Sequence, residues 1–288
     1  MLIGLQLYDA DAASTRRQRL AVDALARLEG VEAVNLQFRD GAAVTSPKVE
    51  TIAGLSGDSL RTTGSPGRRK PLAREAFDVL AARAAARGHR YFSFINADIV
   101  VTPEAVREIE EGRRESYVVS RTDVDDVAAA HPPFDAPMTA GLDMFVLSTA
   151  WWPSNRRRFR EYIVGECCWD NVYTAILMCH SKGIVLNREA LILHERHTPA
   201  WHEPTPQARY NGMLAALDAR YFSMWAEYWQ RLESLRACGA GADEEGVLQR
   251  EAFVWRPSAY QAARQAVRSL RARRGYRRLS AGWARSQV

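Results

Sequence analysis

The sequence contains no apolar run approaching the ~20 residues that a membrane-spanning helix needs. Its opening, MLIGLQLYDADAA, has no basic stretch ahead of the apolar residues, which are few and alternate with polar ones. It is expected to form a first strand and not a signal peptide. Cysteine is scarce: Cys167 and Cys168 are adjacent, Cys179 follows, and Cys238 stands alone. Four cysteines so placed do not make a disulfide framework, so reduced thiols and a cytoplasmic setting are expected. No internal repeat is present, which excludes solenoids and propellers. What remains is a chain of 288 residues with the composition of an ordinary globular protein, long enough for one large or two modest domains.

Acid is absent from one region. Residues 256–288 carry nine arginines and no Asp or Glu, and taking those nine from the 39 Lys and Arg leaves 30 basic against 34 acidic residues elsewhere. The formal net charge of +5 therefore belongs to the tail, while the body is mildly acidic. A basic tail suits an anionic partner such as a membrane surface, or it is simply a solvated helix.

The organising stretch is Tyr91 to Glu104, YFSFINADIVVTPE. An apolar strand stops at Asn96-Ala97-Asp98, a short apolar step follows, and Thr102-Pro103-Glu104 opens a helix. A buried strand ending in an acidic turn is where an α/β sheet presents its chemistry. Around it the chain reads as alternating strands and helices. Leu2–Tyr8 is a strand, Ser14 caps a helix ended by Gly30, and Val34–Phe38 is a second strand. A helix-length crossover between two strands is the unit of a parallel sheet. Residues 40–71 read as a long loop, with a short strand near 49–52, ending in the cations Arg68, Arg69 and Lys70. Those cations can meet a diphosphate or form a solvated charge run. Further helices are expected at 72–87, 103–111 and 169–182, and strands at 117–120, 142–148, 184–186 and 190–193. Residues 124–138 are irregular. The stretch 207–237 is helical, 240–245 is a linker, and 259–274 is a basic helix.

Five residues in four stretches carry the candidate chemistry. Asp98 ends a strand. Asp143 enters one after Gly141-Leu142. Asp170 stands at the start of the helix in Gly165-Glu166-Cys167-Cys168-Trp169-Asp170-Asn171. His194 and His197 lie in Leu193-His194-Glu195-Arg196-His197, after an extended segment. Each has a plain alternative: Asp98 a turn acid before a helix, Asp143 a strand-entry turn, Asp170 an N-cap, and His194 a core histidine. Trp151, Trp152 and Trp169 either stack on sugar faces or pack in the interior.

In this order, N-A-D-I after an apolar strand, G-L-D-x-F-V, G-x-x-x-W-D-N opening a helix and L-H-x-x-H resemble the GT-A glycosyltransferases, a superfamily of nucleotide-diphospho-sugar transferases. The resemblance spans residues 1–200. It implies a Rossmann-like, mixed and mostly parallel sheet with helices on both faces, in a domain of residues 1–205. A helical extension (206–255) and the basic tail (256–288) would follow. It also implies transfer of a sugar from a nucleotide-diphospho-sugar to an acceptor hydroxyl on a glycan or lipid-linked precursor, a hexosyltransferase-type reaction (EC 2.4) of surface polysaccharide or glycolipid synthesis. The cofactor would be a divalent metal, Mn²⁺ or Mg²⁺, held by Asp98 with His194 or His197, since a hard ion on the diphosphate stabilises departing charge and a mixed N/O shell suits Mn²⁺. Asp170 would be the general base. Tyr8, Asp9, Arg16, Arg69, Lys70, Asn96, Asp98 and Asp143 would bind the nucleotide-sugar. The sequence departs from the family's Asp-x-Asp motif at Asn96 and from its usual Glu at Trp169.

Three other classes are weighed against this one. A sugar-phosphate nucleotidyltransferase shares the fold but uses a Gly-rich N-terminal loop, and residues 9–19 contain no glycine. A metallohydrolase built on His194 and His197 lacks the i, i+4 helical spacing of zinc proteases. A non-enzymatic anion-binding module using the tail leaves the acids and imidazoles unexplained. No nucleic-acid partner is expected, and the basic tail is expected to touch the inner membrane face peripherally.

Overall fold

The structure, a computed structural model, describes residues 1–135, 137–138, 141–197, 205–239 and 241–254. The basic tail, its expected helix at 259–274 and its membrane contact lie outside the described residues. In chain order the elements are β1 (Leu2–Leu5), α1 (Ala12–Leu25), β2 (Glu32–Phe38), β3 (Glu50–Leu55), α2 (Ser59–Thr63), α3 (Ala73–Ala86), β4 (Tyr91–Ile95), β5 (Ile99–Val101), α4 (Pro103–Gly112), β6 (Ser116–Ser120), β7 (Thr122–Val124) and β8 (Leu142–Ser148). There follow α5 (Trp152–Asn155) with a 3₁₀ turn (Arg156–Arg158), α6 (Trp169–His180), β9 (Ile184–Leu186), β10 (Ile192–Glu195), α7 (Pro206–Leu217), α8 (Ala219–Ala237) and α9 (Ala242–Ala252).

These elements group into two compact units. The first takes Met1–Ser56, Arg74–Arg158 and the described residues from 181 to 197. The second takes Gly57–Ala73, Phe159–His180 and the described residues from 205 onward. The boundary expected at residue 205 isolates only α7 to α9, whereas the second unit also gathers α2 and α6 with them.

The first unit is built on a seven-stranded sheet of order β3-β2-β1-β4-β8-β6-β9. All neighbouring strands run parallel except β8, which is antiparallel to both β4 and β6. This is the mixed, mostly parallel α/β architecture read from the sequence. Alternate residues of each strand face opposite sides. On one side Ile3, Leu5, Tyr91 and Ile95 pack with Val22 and Leu25 of α1 and Ala105 and Ile109 of α4. On the other, the Phe77 ring of α3 meets Phe92, Phe94, Phe145 and Trp152 at centroid distances of 5.5–6.3 Å. A Cβ placed on Gly4 would sit 2.3 Å from Leu80 Cδ2, so any larger residue there would force the buried Leu80 side chain of α3 to shift. A second, three-stranded sheet of order β5-β10-β7 branches off where β4 and β6 end.

Several local expectations are corrected by capping. Asp11 and not Ser14 caps α1, because the Asp11 carboxylate accepts from the Ser14 amide at 2.7 Å. The long loop at 40–71 contains β3, which pairs with β2, and the short helix α2, capped by Asp58. Thr102 caps α4, so Asp98 is not needed for that task. Residues 207–237 form two helices that break at Asp218, whose carboxylate accepts from Arg160 Nε (2.8 Å) and Tyr162 Oη (3.1 Å). The expected linker at 240–245 is mostly helix, since α9 starts at Ala242. Among the described residues no helix is long and apolar enough to cross a membrane. All four cysteines are free thiols.

In the second unit the loop before α6 is fastened by Asn211 as well as by Lys70, which donates to the Gly165 carbonyl at 3.3 Å. Asn211 of α7 accepts from the Ile163 amide (2.8 Å) and donates to the carbonyls of Ile163 (2.8 Å) and Cys167 (3.1 Å). Trp169 is 4% exposed and stacks edge-on against Tyr173, and in the first unit Trp151 and Trp152 are 8% and 2% exposed. These tryptophans pack in the interior and are not open sugar platforms.

Candidate metal centre

Strand register brings the site together. β4 runs off the sheet at Ile95, which pairs with Met144 of the antiparallel β8, so Asn96 and Asp143 meet at the same edge. There Asn96 Nδ2 donates to Asp143 Oδ1. β6 leaves the sheet at Ser120, opposite Leu142, and continues through Arg121 into β7. β10 lies between β5 and β7 with His194 opposite both Ile99 and Asp123. A strand from late in the chain thereby carries an imidazole to the turn that follows β4.

Three donor atoms converge. His197 Nε2 lies 3.2 Å from Asp98 Oδ2, His194 Nε2 lies 3.8 Å from the same oxygen, and the two Nε2 atoms are 3.1 Å apart. Of the three side chains His194 is the most buried, at 8% exposure, with Asp98 at 19% and His197 at 27%. On the far side of the His194 ring, Nδ1 meets Asp123 Oδ1 at 2.8 Å. An ionised carboxylate only accepts, so Asp123 holds a proton on Nδ1 and leaves Nε2, which faces Asp98 and His197, as the nitrogen that can lose its proton to a metal. The same Asp123 oxygen accepts from Arg121 Nε (2.8 Å), and Arg121 NH1 donates to Asp143 Oδ2 at 2.9 Å.

The electrostatics follow from this packing. Burial works against the charged form of His194, but its hydrogen bond to Asp123 and the nearby Asp98 carboxylate prevail and push it up to about 9. Burial also opposes the Asp98 carboxylate, yet the two imidazoles hold it well below the usual carboxylate range. Asp123 is likewise lowered: burial resists, and His194 and Arg121 outweigh it.

The donor set fits a divalent cation. Ligand atoms about 2.1 Å from one ion, at angles between a right angle and the tetrahedral value, stand ~3.0–3.4 Å apart. Two of the three separations fall in that range and the third is slightly wider. The Nδ1 partner of His194 is the carboxylate that a metal-binding imidazole commonly uses to fix its ring. Two imidazole nitrogens and a carboxylate form a mixed N/O donor set of the kind that binds first-row divalent ions.

The remaining expected residues are placed as follows. Tyr8 and Asp9 follow β1, which lies parallel beside β4 and ends at the same sheet edge, and the Tyr8 backbone is tied to the Gln18 side chain. Arg16 is engaged by Glu195 (2.6 Å) and Asp126 (2.8 Å). Arg69, Lys70 and Asp170 belong to the second unit. Arg69 pairs with Asp58 at 2.8 Å, and Lys70 pairs with Glu166 at 2.7 Å while burial pulls its ammonium down. Asp170 is in the first turn of α6, where its Oδ1 accepts from the Asn171 amide at 2.9 Å and its charge is favoured by the helix dipole. It therefore sits inside the helix and not at its N-cap. Arg121 and Asp123 were missed from the sequence. Their signal was the one that revealed Asp98, charged residues at the end of an apolar strand, here as Arg121-Thr122-Asp123 after a strand buried throughout.

No protein-family model matches the chain, and no curated protein does. Among solved structures the chain is similar to S. aureus TarS residues 1–349, with 15% identity, a TM-score of 0.45 and coverage of 75% of this chain and 64% of that one. Against a longer TarS chain it spans 43% of the length. It is also similar to a Desulfovibrio desulfuricans G20 protein provisionally described as a nucleotide-diphospho-sugar transferase, with 12% identity, a TM-score of 0.42 and coverage of 76% and 97%. The glycosyltransferase GlyE of Streptococcus pneumoniae TIGR4 is similar at 12% identity and a TM-score of 0.33, over 81% of this chain and 63% of that one. Likeness at TM-scores below 0.5 carries no weight for chemistry. The mixed sheet with its antiparallel β8 agrees by itself with the GT-A fold class read from the sequence.

Proposed function

We propose that this chain is a metal-assisted GT-A glycosyltransferase that moves a sugar from a nucleotide-diphospho-sugar to an acceptor hydroxyl. The observation that carries the reading is the convergence of Asp98, His194 and His197 on one point at the carboxyl edge of the sheet, where open α/β sheets bind ligands. A divalent ion bound there supplies charge stabilisation for the diphosphate that leaves.

The chain's own groups do the rest. Asp98, ionised at any working pH, provides the anionic ligand. His194 and His197 add nitrogen donors. Asn96 and Asp143 hold each other at the donor side, where hydroxyls of the sugar need acceptors and donors. Tyr8 and Asp9, beyond β1, take the nucleotide. Arg16, Arg69 and Lys70 already have carboxylate partners, so a phosphate would share each cation with that carboxylate or displace it. Asp170 is proposed as the base that removes the acceptor proton. The acceptor is a glycan or a lipid-linked precursor in the cytoplasm, reached with help from the arginine-rich tail.

The test is a thermal melt with a panel of nucleotide-diphospho-sugars, with and without Mn²⁺. A ligand at ~100 times its dissociation constant adds about 2.7 kcal/mol, or ~2–4 °C per kcal/mol for a chain of this size. Asp98→Ala removes the metal-dependent part. A full shift that survives this substitution would place the site elsewhere.

A further inference from the structure

The metal centre and the sugar side of the site are joined by two residues that would touch neither ion nor substrate. Starting at His194, Nδ1 meets Asp123 Oδ1 (2.8 Å), that oxygen meets Arg121 Nε (2.8 Å), Arg121 NH1 meets Asp143 Oδ2 (2.9 Å), and Asp143 Oδ1 accepts from Asn96. Each link pairs a donor with an acceptor-only carboxylate, and most are charge-assisted. We infer that Asp123 and Arg121 are positioning residues that aim His194 Nε2 at the metal point and, through Asp143, orient the Asn96 amide, so that one chain of hydrogen bonds sets both halves of the site. The inference rests on the metal reading above.

Three observations support it. The members are held away from solvent: Asp143 is 8% exposed, Asp123 14% and Arg121 22%. Charge-assisted bonds in so little water are stronger than their surface equivalents. The Arg121 guanidinium uses separate nitrogens for its two carboxylates, a fork that a lysine ammonium cannot reproduce. Finally, Asp143 can only accept, so the Asn96 amide must turn its NH₂ toward it, which commits the amide oxygen to the other direction as an acceptor. An Asn in the first position of the Asp-x-Asp motif thus acquires a reason: its neighbour is already an acid held by Arg121.

The experiment measures Mn²⁺ affinity by electron paramagnetic resonance on wild type, Asp123→Asn, Arg121→Lys and a surface control, Asp23→Asn, whose carboxylate pairs with exposed Lys48. In parallel, the ring N–H signals of the metal-free proteins are followed by NMR. Loss of a carboxylate that orients a metal-bound histidine costs 10–100-fold in affinity. Asp123→Asn is therefore expected to weaken Mn²⁺ binding 10–100-fold and to remove the carboxylate-bound Nδ1–H signal of His194. Arg121→Lys is expected to weaken Mn²⁺ binding and to shift the Asn96 side-chain amide resonances, an effect that general loosening of the fold would not confine to those two places. Asp23→Asn should match wild type. Wild-type Mn²⁺ affinity in Asp123→Asn, with wild type itself binding the ion, overturns the inference and leaves the metal reading standing. Absence of Mn²⁺ binding in wild type overturns both. If Asp123→Asn does not fold, Arg121→Lys decides alone: unchanged affinity and unchanged Asn96 resonances sink the idea.

Discussion

Raising the pH from 6.5 to 8.5 should tighten divalent-metal binding about a hundredfold. The magnitude comes from His194. Buried between Asp98 and Asp123, its imidazole is pushed up to about 9, because the hydrogen bond to Asp123 and the Asp98 charge 3.8 Å away outweigh the cost of burial. A metal needs the Nε2 lone pair, so below pH 9 each binding event must expel a proton. Each pH unit over that range is worth about 1.4 kcal/mol, a factor of ten in affinity. Asp98 contributes no slope, since its carboxylate stays ionised throughout. The metal-free protein should respond in the opposite sense. A histidine whose folded pKa exceeds its unfolded one stabilises the fold fully below ~6.5 and loses that contribution as pH rises through about 9, a change of ~3 kcal/mol. Isothermal titration calorimetry in buffers of different ionisation enthalpy reads both the affinity and the released proton, and thermal melts read the stability. A pH-independent metal affinity between 6.5 and 8.5, or binding at pH 7 without proton release, refutes the reasoning.

Asn96→Asp sets a second carboxylate against Asp143 and removes the donor between them, so the metal-free protein should lose about 1–3 kcal/mol in denaturant melts. Combining it with Asp143→Asn restores a donor and should recover most of that loss. Asp170→Asn should lower turnover 10²–10⁴-fold in a sugar-transfer assay while leaving donor binding by calorimetry unchanged, as expected for a general base. Phe77→Ala should cost about 3–5 kcal/mol, because the ring is fully buried among Phe92, Phe94, Phe145 and Trp152 and leaves a cavity that a sheet face cannot close. A loss below 1 kcal/mol would mean that this face is loosely packed.

Local periodicity made much of the sheet legible. β4 and β9 stand at their expected limits, as does β8, because apolar runs this short with abrupt polar ends suit buried strands better than helices. Asp98, His194 and His197 were legible for a related reason, as polar groups at the ends of such runs. The helix limits were less so. Thr102 before Pro103 marked the start of α4, but Asp11 caps α1 by side-chain geometry that no periodicity encodes. The break at Asp218 depends on Arg160 and Tyr162, far away in the chain.

The sequence by itself decided most element types and offered Asp98, His194 and His197 as candidate ligands, since both follow from hydrophobic pattern and side-chain chemistry within a few neighbours. Tertiary structure alone decided which imidazole faces inward, how Asp123 selects its tautomer, and why Asn96 stands beside Asp143. Those facts depend on strand order and register: β10 enters between β5 and β7, and antiparallel β8 returns beside β4. Pairing between segments some 50 to 100 residues apart is a property of the folded sheet, and no short stretch of chain contains it.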